Sequence, residues 1–330
     1  MKKILLILLS VSCFSATAIV PTWQELPKEN LPGNTAGLSL PVAYTAFRLQ
    51  TEALKNQLLS LPASAADAKQ IAIPMPDGRM RRFRVWEAPM LAPALSAAYP
   101  DIKTYDAVAV DDPTVTAKFD ITLLGFHGMI YDGADTYLVD PYNKEQNVYF
   151  CYYKKDLRTS SLKESSCAVQ GIEEGGPLQR KSMQVGNGSN LPPMQLKTNG
   201  DVRRSYRLAL ACTGEYSVAV AGTSTPSKAL SLSAMTTTMN RVNGVYEREV
   251  NVHMEIIATN DDIIYLDGTT DPFTGNFSGG ILKGENPENT DTVIGTLNYD
   301  IGHIFSTGLG GIAELGQQFQ RAQPPFHHRT

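Results

Sequence analysis

The feature that most constrains this chain is a break in texture between residues 154 and 200. That stretch is rich in Ser, Gly, Pro, Gln, Lys and Glu and holds few large apolar side chains. Its centre, Gly186 to Met194 (GNGSNLPPM), reads as an exposed linker. Gly and Ser leave the backbone free, and adjacent prolines cannot donate to a helix or a sheet. A chain interrupted in this way folds as two units, with a boundary near residue 200. The 330 residues are 42% hydrophobic, enough to give each unit its own core. Their apolar and aromatic content excludes a disordered chain. A net charge of −4 without a basic run argues against nucleic acid as a partner. No run of 18 apolar residues is present, so no membrane-spanning helix is expected.

The N-terminus has the three parts of an export signal. Met1-Lys2-Lys3 is positive, Ile4 to Leu9 is apolar, and Ala16-Thr17-Ala18 is a small-residue cleavage site. Residues 1–18 are therefore expected to be removed, giving a secreted or periplasmic protein. A lipid anchor on Cys13 is the weaker alternative, because Ser10-Val11-Ser12 lacks the usual Leu three residues before the Cys. Three cysteines remain in the mature chain, Cys151, Cys167 and Cys212, and an odd number leaves one thiol without an intramolecular partner.

Between the signal and residue 153 the pattern is helical and then β-rich. Phe47, Leu49, Leu54, Leu58 and Leu59 approximate helical spacing. Arg82 to Trp86, Phe119 to Leu123 and Tyr137 to Val139 alternate as strands. Asp111-Asp112-Pro113, Asp132-Gly133 and Asp140-Pro141-Tyr142-Asn143 read as turns, and the whole predicts a mainly antiparallel sheet.

Beyond residue 200 the rhythm is strand, helix, strand, helix, strand, which is an α/β order. The strands are placed at Arg203 to Ala211, Val252 to Ala258 and Gly302 to Ser306. The long helix starts at Thr225-Pro226 and runs to about Glu249, with a buried stripe of Leu232, Met235, Met239, Val242 and Tyr246. A short helix is capped by Thr290-Asp291 and ends near Asn298. The fold class is thus α+β, an antiparallel unit followed by an α/β one.

Several chemistries are excluded. Neither G-x-x-x-x-G-K-[ST] nor G-x-G-x-x-G after a strand is present, and G-x-S-x-G is absent. His253 and Glu255 share one strand face, but no P-C-x-x-C follows to complete a deaminase zinc site, so a structural role is expected. His327-His328 are adjacent and do not face one way.

One resemblance covers roughly residues 20–316. Ser205 to Gly222 (SYRLALACTGEYSVAVAG), Met235 to Glu249 (MTTTMNRVNGVYERE), Asn260 to Pro272 (NDDIIYLDGTTDP) and Asn298 to Ala313 (NYDIGHIFSTGLGGIA) resemble successive segments of secreted bacterial reprolysin-like zinc metallopeptidases, which are zincins of the metzincin group. Tyr105 to Leu157 resembles the pro-region of that family. The resemblance implies a pro-region over 19–153, a linker over 154–200 and the first part of a catalytic domain over 201–316. It also implies a peptide or protein substrate and Zn2+ as cofactor. The segment Leu309 to Leu315 (LGGIAEL) would be the edge strand beside the cleft. There Gly310, Gly311, Ile312 and Ala313 would receive an added peptide strand, the two glycines allowing close backbone approach. The alternative is a plain loop.

The chain departs from the family at H-E-x-x-H-x-x-G-x-x-H, whose histidines bind zinc and whose Glu acts as general base. The 330 residues contain no such motif. Residues 317–330 (QQFQRAQPPFHHRT) have no apolar period and do not resemble the family, as a shifted reading frame, a natural truncation or an assembly error would leave them. No catalytic residue, no bound zinc and no peptidase activity are therefore expected of this chain. The alternative function is a non-catalytic secreted protein whose pro-region binds or inhibits a full-length relative. Residues 201–330, with an uncovered apolar face, are expected to have low stability. Cys167 could be a latency thiol on the zinc of an intact relative. Alternatively a Cys151–Cys167 disulfide would close a short loop, worth about 3 kcal/mol. Cys212 is then the unpaired thiol.

Overall fold

The computed structural model describes residues 22–35, 40–133, 135–157, 168–170, 202–308 and 310–314. Residues 1–21, most of residues 158–201 including Cys167, and residues 315–330 lie outside them.

Nine strands make one antiparallel sheet: β1 (Trp23–Leu26), β2 (Thr45–Leu49), β3 (Lys69–Pro74), β4 (Met80–Glu87), β5 (Lys103–Ala109), β6 (Thr116–Thr122), β7 (Gly125–Asp132), β8 (Asp135–Asn143) and β9 (Val148–Tyr153). Their order is β1-β2-β9-β8-β7-β6-β5-β4-β3, so each strand from β3 to β9 lies beside its sequence neighbour. Period-2 alternation sets the faces: in β4, Phe83 and Val85 are buried while Arg82 and Arg84 are exposed. The sheet curls until its ends approach. Thr45 Oγ1 donates to Pro76 O at 2.6 Å, and Cys151 Sγ donates to Pro74 O at 3.3 Å. The concave side is filled by aromatic rings, with Trp23 edge-on to Phe47, Phe126 and Tyr149. Leu54 and Leu58 of helix α1 (Thr51–Leu58) plug one end.

Two readings of this unit need correction. Phe47 and Leu49 belong to β2, where pairing with β1 and β9 overrides a chance helical spacing, and Leu59 is exposed. Asp140 to Asn143 is the end of β8 rather than a turn. Pro141 is tolerated there because the ladder shifts register between Pro141 and Asn143. The turn follows, with Asn147 in the left-handed region at φ 52°.

After helix α2 (Pro93–Ala98) and the nine-stranded sheet come β10 (Ala168–Gln170), β11 (Arg204–Cys212), α3 (Gly214–Ala221), α4 (Lys228–Val250), β12 (Val252–Ile256), α5 (Gly279–Val293), β13 (Ile301–Phe305) and β14 (Ile312–Glu314). The three strands β12-β11-β13 form a parallel sheet with β11 central. Leu208 to Cys212 is an unbroken buried run, as a strand covered on both faces requires. All three expected strands are present. Ser227, not Thr225, caps α4: its Oγ accepts from Leu230 N at 3.3 Å. Leu232, Met235 and Met239 are buried as the stripe predicts, whereas Tyr246 is exposed. The helix expected from Thr290 to Asn298 is instead the end of a longer one. α5 stops at Val293, and Asn298 Nδ2 donates back to Ile294 O at 2.6 Å. α3 directly follows β11, where the sequence pattern predicts no helix. Thr213 caps it, accepting from Tyr216 N, and Gly222 closes it at φ 66°.

The apolar face expected to be bare is partly covered by the N-terminal unit. Met90, Leu91, Leu95 and Ile102 belong to the same buried cluster as Leu208, Leu232 and Met239. Phe277 and Leu297 remain exposed.

Candidate functional site

In an open parallel sheet, sites form beyond the carboxyl ends of the strands. Here β11 ends at Cys212, and Thr213 begins a tight polar junction. Thr213 Oγ1 donates to Asn276 Oδ1 at 3.0 Å, and Asn276 Nδ2 donates to Thr307 Oγ1 at 2.7 Å. Thr307 N donates back to Asn276 Oδ1 at 3.2 Å, so one buried amide ties the ends of β11 and β13 together. Gly214 N donates to Asp271 Oδ2 at 2.7 Å. A Cβ on Gly214 would lie 2.1 Å from the Asp267 carbonyl carbon, so only glycine fits this turn.

The segment expected to receive a peptide forms β14 but does not extend the three-stranded sheet. Ile312 and Ala313 pair in parallel with Ala168 and Val169 of β10 in a separate two-stranded ribbon. Two local features turn it away. Gly310 takes φ 96°, and the Ile312 side chain seats on Gly279 at the start of α5, where a Cβ would approach it to 3.0 Å. Gly311 has no neighbour within 4 Å of the place a Cβ would take, so the chain is open there.

Cys151 and Cys212 are both free, buried thiols. Burial pushes the Cys151 thiol well above its ordinary pKa. Burial also pushes Cys212 up, to about 11, against a weak contact with Ser217 Oγ at 3.4 Å. Neither is poised as a nucleophile. The partner expected for Cys151, Cys167, lies outside the described residues.

The second candidate region is the joint between the units. A cavity of about 320 Å³ is lined by Trp86, Asp106, Lys118, Arg203, Glu247 and His253, among others. His253 Nδ1 lies 2.7 Å from one Glu247 carboxylate oxygen, and Lys118 Nζ donates to the other at 2.7 Å and also to Asp106. Burial alone would raise the Glu247 pKa. The His253 hydrogen bond and the Lys118 charge outweigh it and bring Glu247 to about 2. The partner of His253 is thus Glu247 on α4, not Glu255. Spacing along one strand could not show a partner on a neighbouring helix.

Residues 202–319 match the family model of the metallo-peptidase family M12B, reprolysin-like. This stretch is reprolysin-like. No curated protein matches the chain. The family normally uses zinc, and the residues of the reprolysin-like segment can be tested against it. Among the described residues no three His, Cys, Asp or Glu side chains converge on a metal position. His253 and Glu247 come close, but the Lys118 ammonium already neutralises that carboxylate and would repel a cation. The donor set does not fit zinc, so no chemical step is routed through it.

Proposed function

We propose that residues 202–319 are the first part of the catalytic domain of a secreted reprolysin-like zinc metalloendopeptidase precursor. In this reading residues 1–18 are the signal, 19–153 the pro-region and 154–200 the connecting segment. The observation that carries it is the family match over a region folded as a parallel β/α sheet with its crossover helices in place. The intact family implies peptide substrates. β14 is the candidate place for an extended peptide, since its backbone already accepts a neighbouring strand from β10. As it stands the chain has no zinc-binding H-E-x-x-H and no general base in that position, and it is expected not to hydrolyse peptides.

The docked N-terminal sheet favours one further role, binding of that sheet to a full-length relative. A zinc titration with a peptidase assay separates the outcomes. The expected result is no stoichiometric zinc and no cleavage. Tight one-to-one zinc with peptide hydrolysis would overturn the inactive reading. Export is checked separately, by sequencing the mature N-terminus of protein recovered outside the cytoplasm, which should begin at Ile19.

A further inference from the structure

We propose that the end of the nine-stranded sheet plugged by α1 holds a phosphoryl group, either inorganic phosphate or the phosphate of a monoester. This goes beyond the proposed function and does not depend on whether the chain is a peptidase.

Three stretches meet at that end: the first turns of α1, the β6–β7 turn and the β8–β9 turn. Between them lies a cavity of about 140 Å³. Leu49 N donates to Asn147 O at 2.9 Å, which fixes the entry to α1 against the β8–β9 turn. Part of the wall is apolar, with Ile121 and Phe126 buried, so charges beside it are poorly screened. The volume suits a ligand of a few heavy atoms, since pockets for drug-sized molecules begin at about 300 Å³.

The polar lining consists of donors. Among the described residues no carboxylate lines the cavity, whereas the two lysines Lys55 and Lys144 do. Lys55 has only Glu52, at 3.8 Å, and partial burial lowers the Lys144 pKa with no nearby charge to offset it. Thr51 Oγ1 is buried without a hydrogen-bond partner. It opens a helix to which Gln50 gives no side-chain cap, so the positive end of the helix dipole stands beside the cavity. Thr122 and Tyr149 are 6% and 3% exposed. Their hydroxyls accept from Leu124 N at 3.1 Å and Phe126 N at 3.2 Å, and among the described residues neither donates to any acceptor. Burial pushes the Tyr149 hydroxyl up to about 12, so its proton stays available. Gly125, at φ 112°, makes room for it: a Cβ there would stand 2.9 Å from the Tyr149 hydroxyl. Three unspent hydroxyl protons from three directions match three acceptor oxygens, where a planar carboxylate offers two. A phosphate monoester carries a charge of about −1.5 to −2 at pH 7, which two ammonium groups balance.

The test titrates the full chain with inorganic phosphate, followed by calorimetry and phosphorus NMR. The expected result is one phosphate per chain with a Kd of about 1 mM or tighter, weakening as salt is added. Lys144→Ala, on an exposed turn, should weaken binding about tenfold. Thr51→Val removes the orphan hydroxyl and should weaken it about fivefold, with no fall in the thermal midpoint measured without phosphate. Lys155→Ala, away from the cavity, should bind as the parent does. Methyl phosphate is titrated alongside. Equal affinity assigns the site to a monoester, and affinity about tenfold weaker assigns it to inorganic phosphate; both uphold the phosphoryl site. Absence of saturable binding up to about 10 mM phosphate would overturn the proposal. So would binding unchanged in both Lys144→Ala and Thr51→Val, which would mark an adventitious ion only, or acetate binding as tightly as phosphate.

Discussion

The two units solve the problem of a core in different ways. The N-terminal sheet curls on itself, and its interior cluster, from Trp23 to Cys151, is drawn wholly from that unit. The reprolysin-like segment has only three parallel strands, too few to enclose a core. Its main cluster takes Met90, Leu91, Leu95 and Ile102 from the other unit. Small sheets need a covering layer on each face, and a parallel sheet needs both faces buried. Here part of that cover arrives from the region that precedes the segment in sequence. Stability should therefore be asymmetric: the first unit stands without the second, and the second leans on the first.

The largest effect should come from the self-sufficient core. Phe119→Ala removes a fully buried ring that packs on Phe83 and Phe126, at a cost of about 4 kcal/mol. Because α4 docks on β6, denaturant unfolding of both units should shift together. Retention of the native transition in residues 202–314 would break the asymmetry.

Leu95→Ala comes next, at about 3 kcal/mol for a fully buried Leu. The residue lies in the N-terminal unit, yet its cost should appear in the other one. Amide exchange should accelerate in β11 and β12 while β5 to β8 stay protected. The reverse pattern would show that the segment does not borrow its core.

Acid should weaken the joint before either core. Its partners Lys118 and His253 lower the Glu247 pKa from an ordinary 4.5 to about 2 in the folded protein, so it binds fewer protons folded than unfolded near pH 3. Its contribution is present in full above pH 4.5 and is lost as pH falls toward 2. Between pH 6 and pH 3 the loss is about 2 kcal/mol. Urea titrations at the two pH values should show it, and Glu247→Gln should flatten that part of the profile. An unchanged slope in the variant would remove Glu247 from the joint.

The smallest effect is expected at Lys155, whose ammonium reaches Asp135 at 3.0 Å on an exposed surface. Solvent and salt screen such a pair. Lys155→Ala should leave the denaturation midpoint within error, which marks the baseline for the other three.

Sequence patterning revealed the strands better than the way the units meet. β4, β6, β11, β12 and β13 were visible because alternation or a continuous apolar run is a local signal. α3 lacks an amphipathic period and so is not predicted, although Thr213 and Gly222 stand as cap signals at its two ends. α5 was cut short because two glycines at its start and Pro287 inside it disguise a helix that Leu282, Asn286 and Thr290 bury at steps of four. The polar stripe of α4 was missed for a different reason. An apolar period identifies the Leu232–Met239 face, but Thr237, Asn240 and Arg241 look like a solvated face until their partners are known. Those partners are 101 to 121 residues away. No local pattern encodes that distance. The candidate peptide-binding segment was legible as a strand but not as a partner of β10, since three residues carry too little pattern to specify pairing.

The Leu91 backbone on β12 also bears on solubility. A parallel sheet ends in two rows of unpaired amides and carbonyls, and either row can recruit a foreign strand. Here the β12 row is capped by the chain itself, Ile256 by the backbone of Met90 and Ala92 and Met254 by the Asn243 side chain. Among the described residues, further growth of this three-stranded sheet is open at β13, so strand addition to it has one direction in which to proceed.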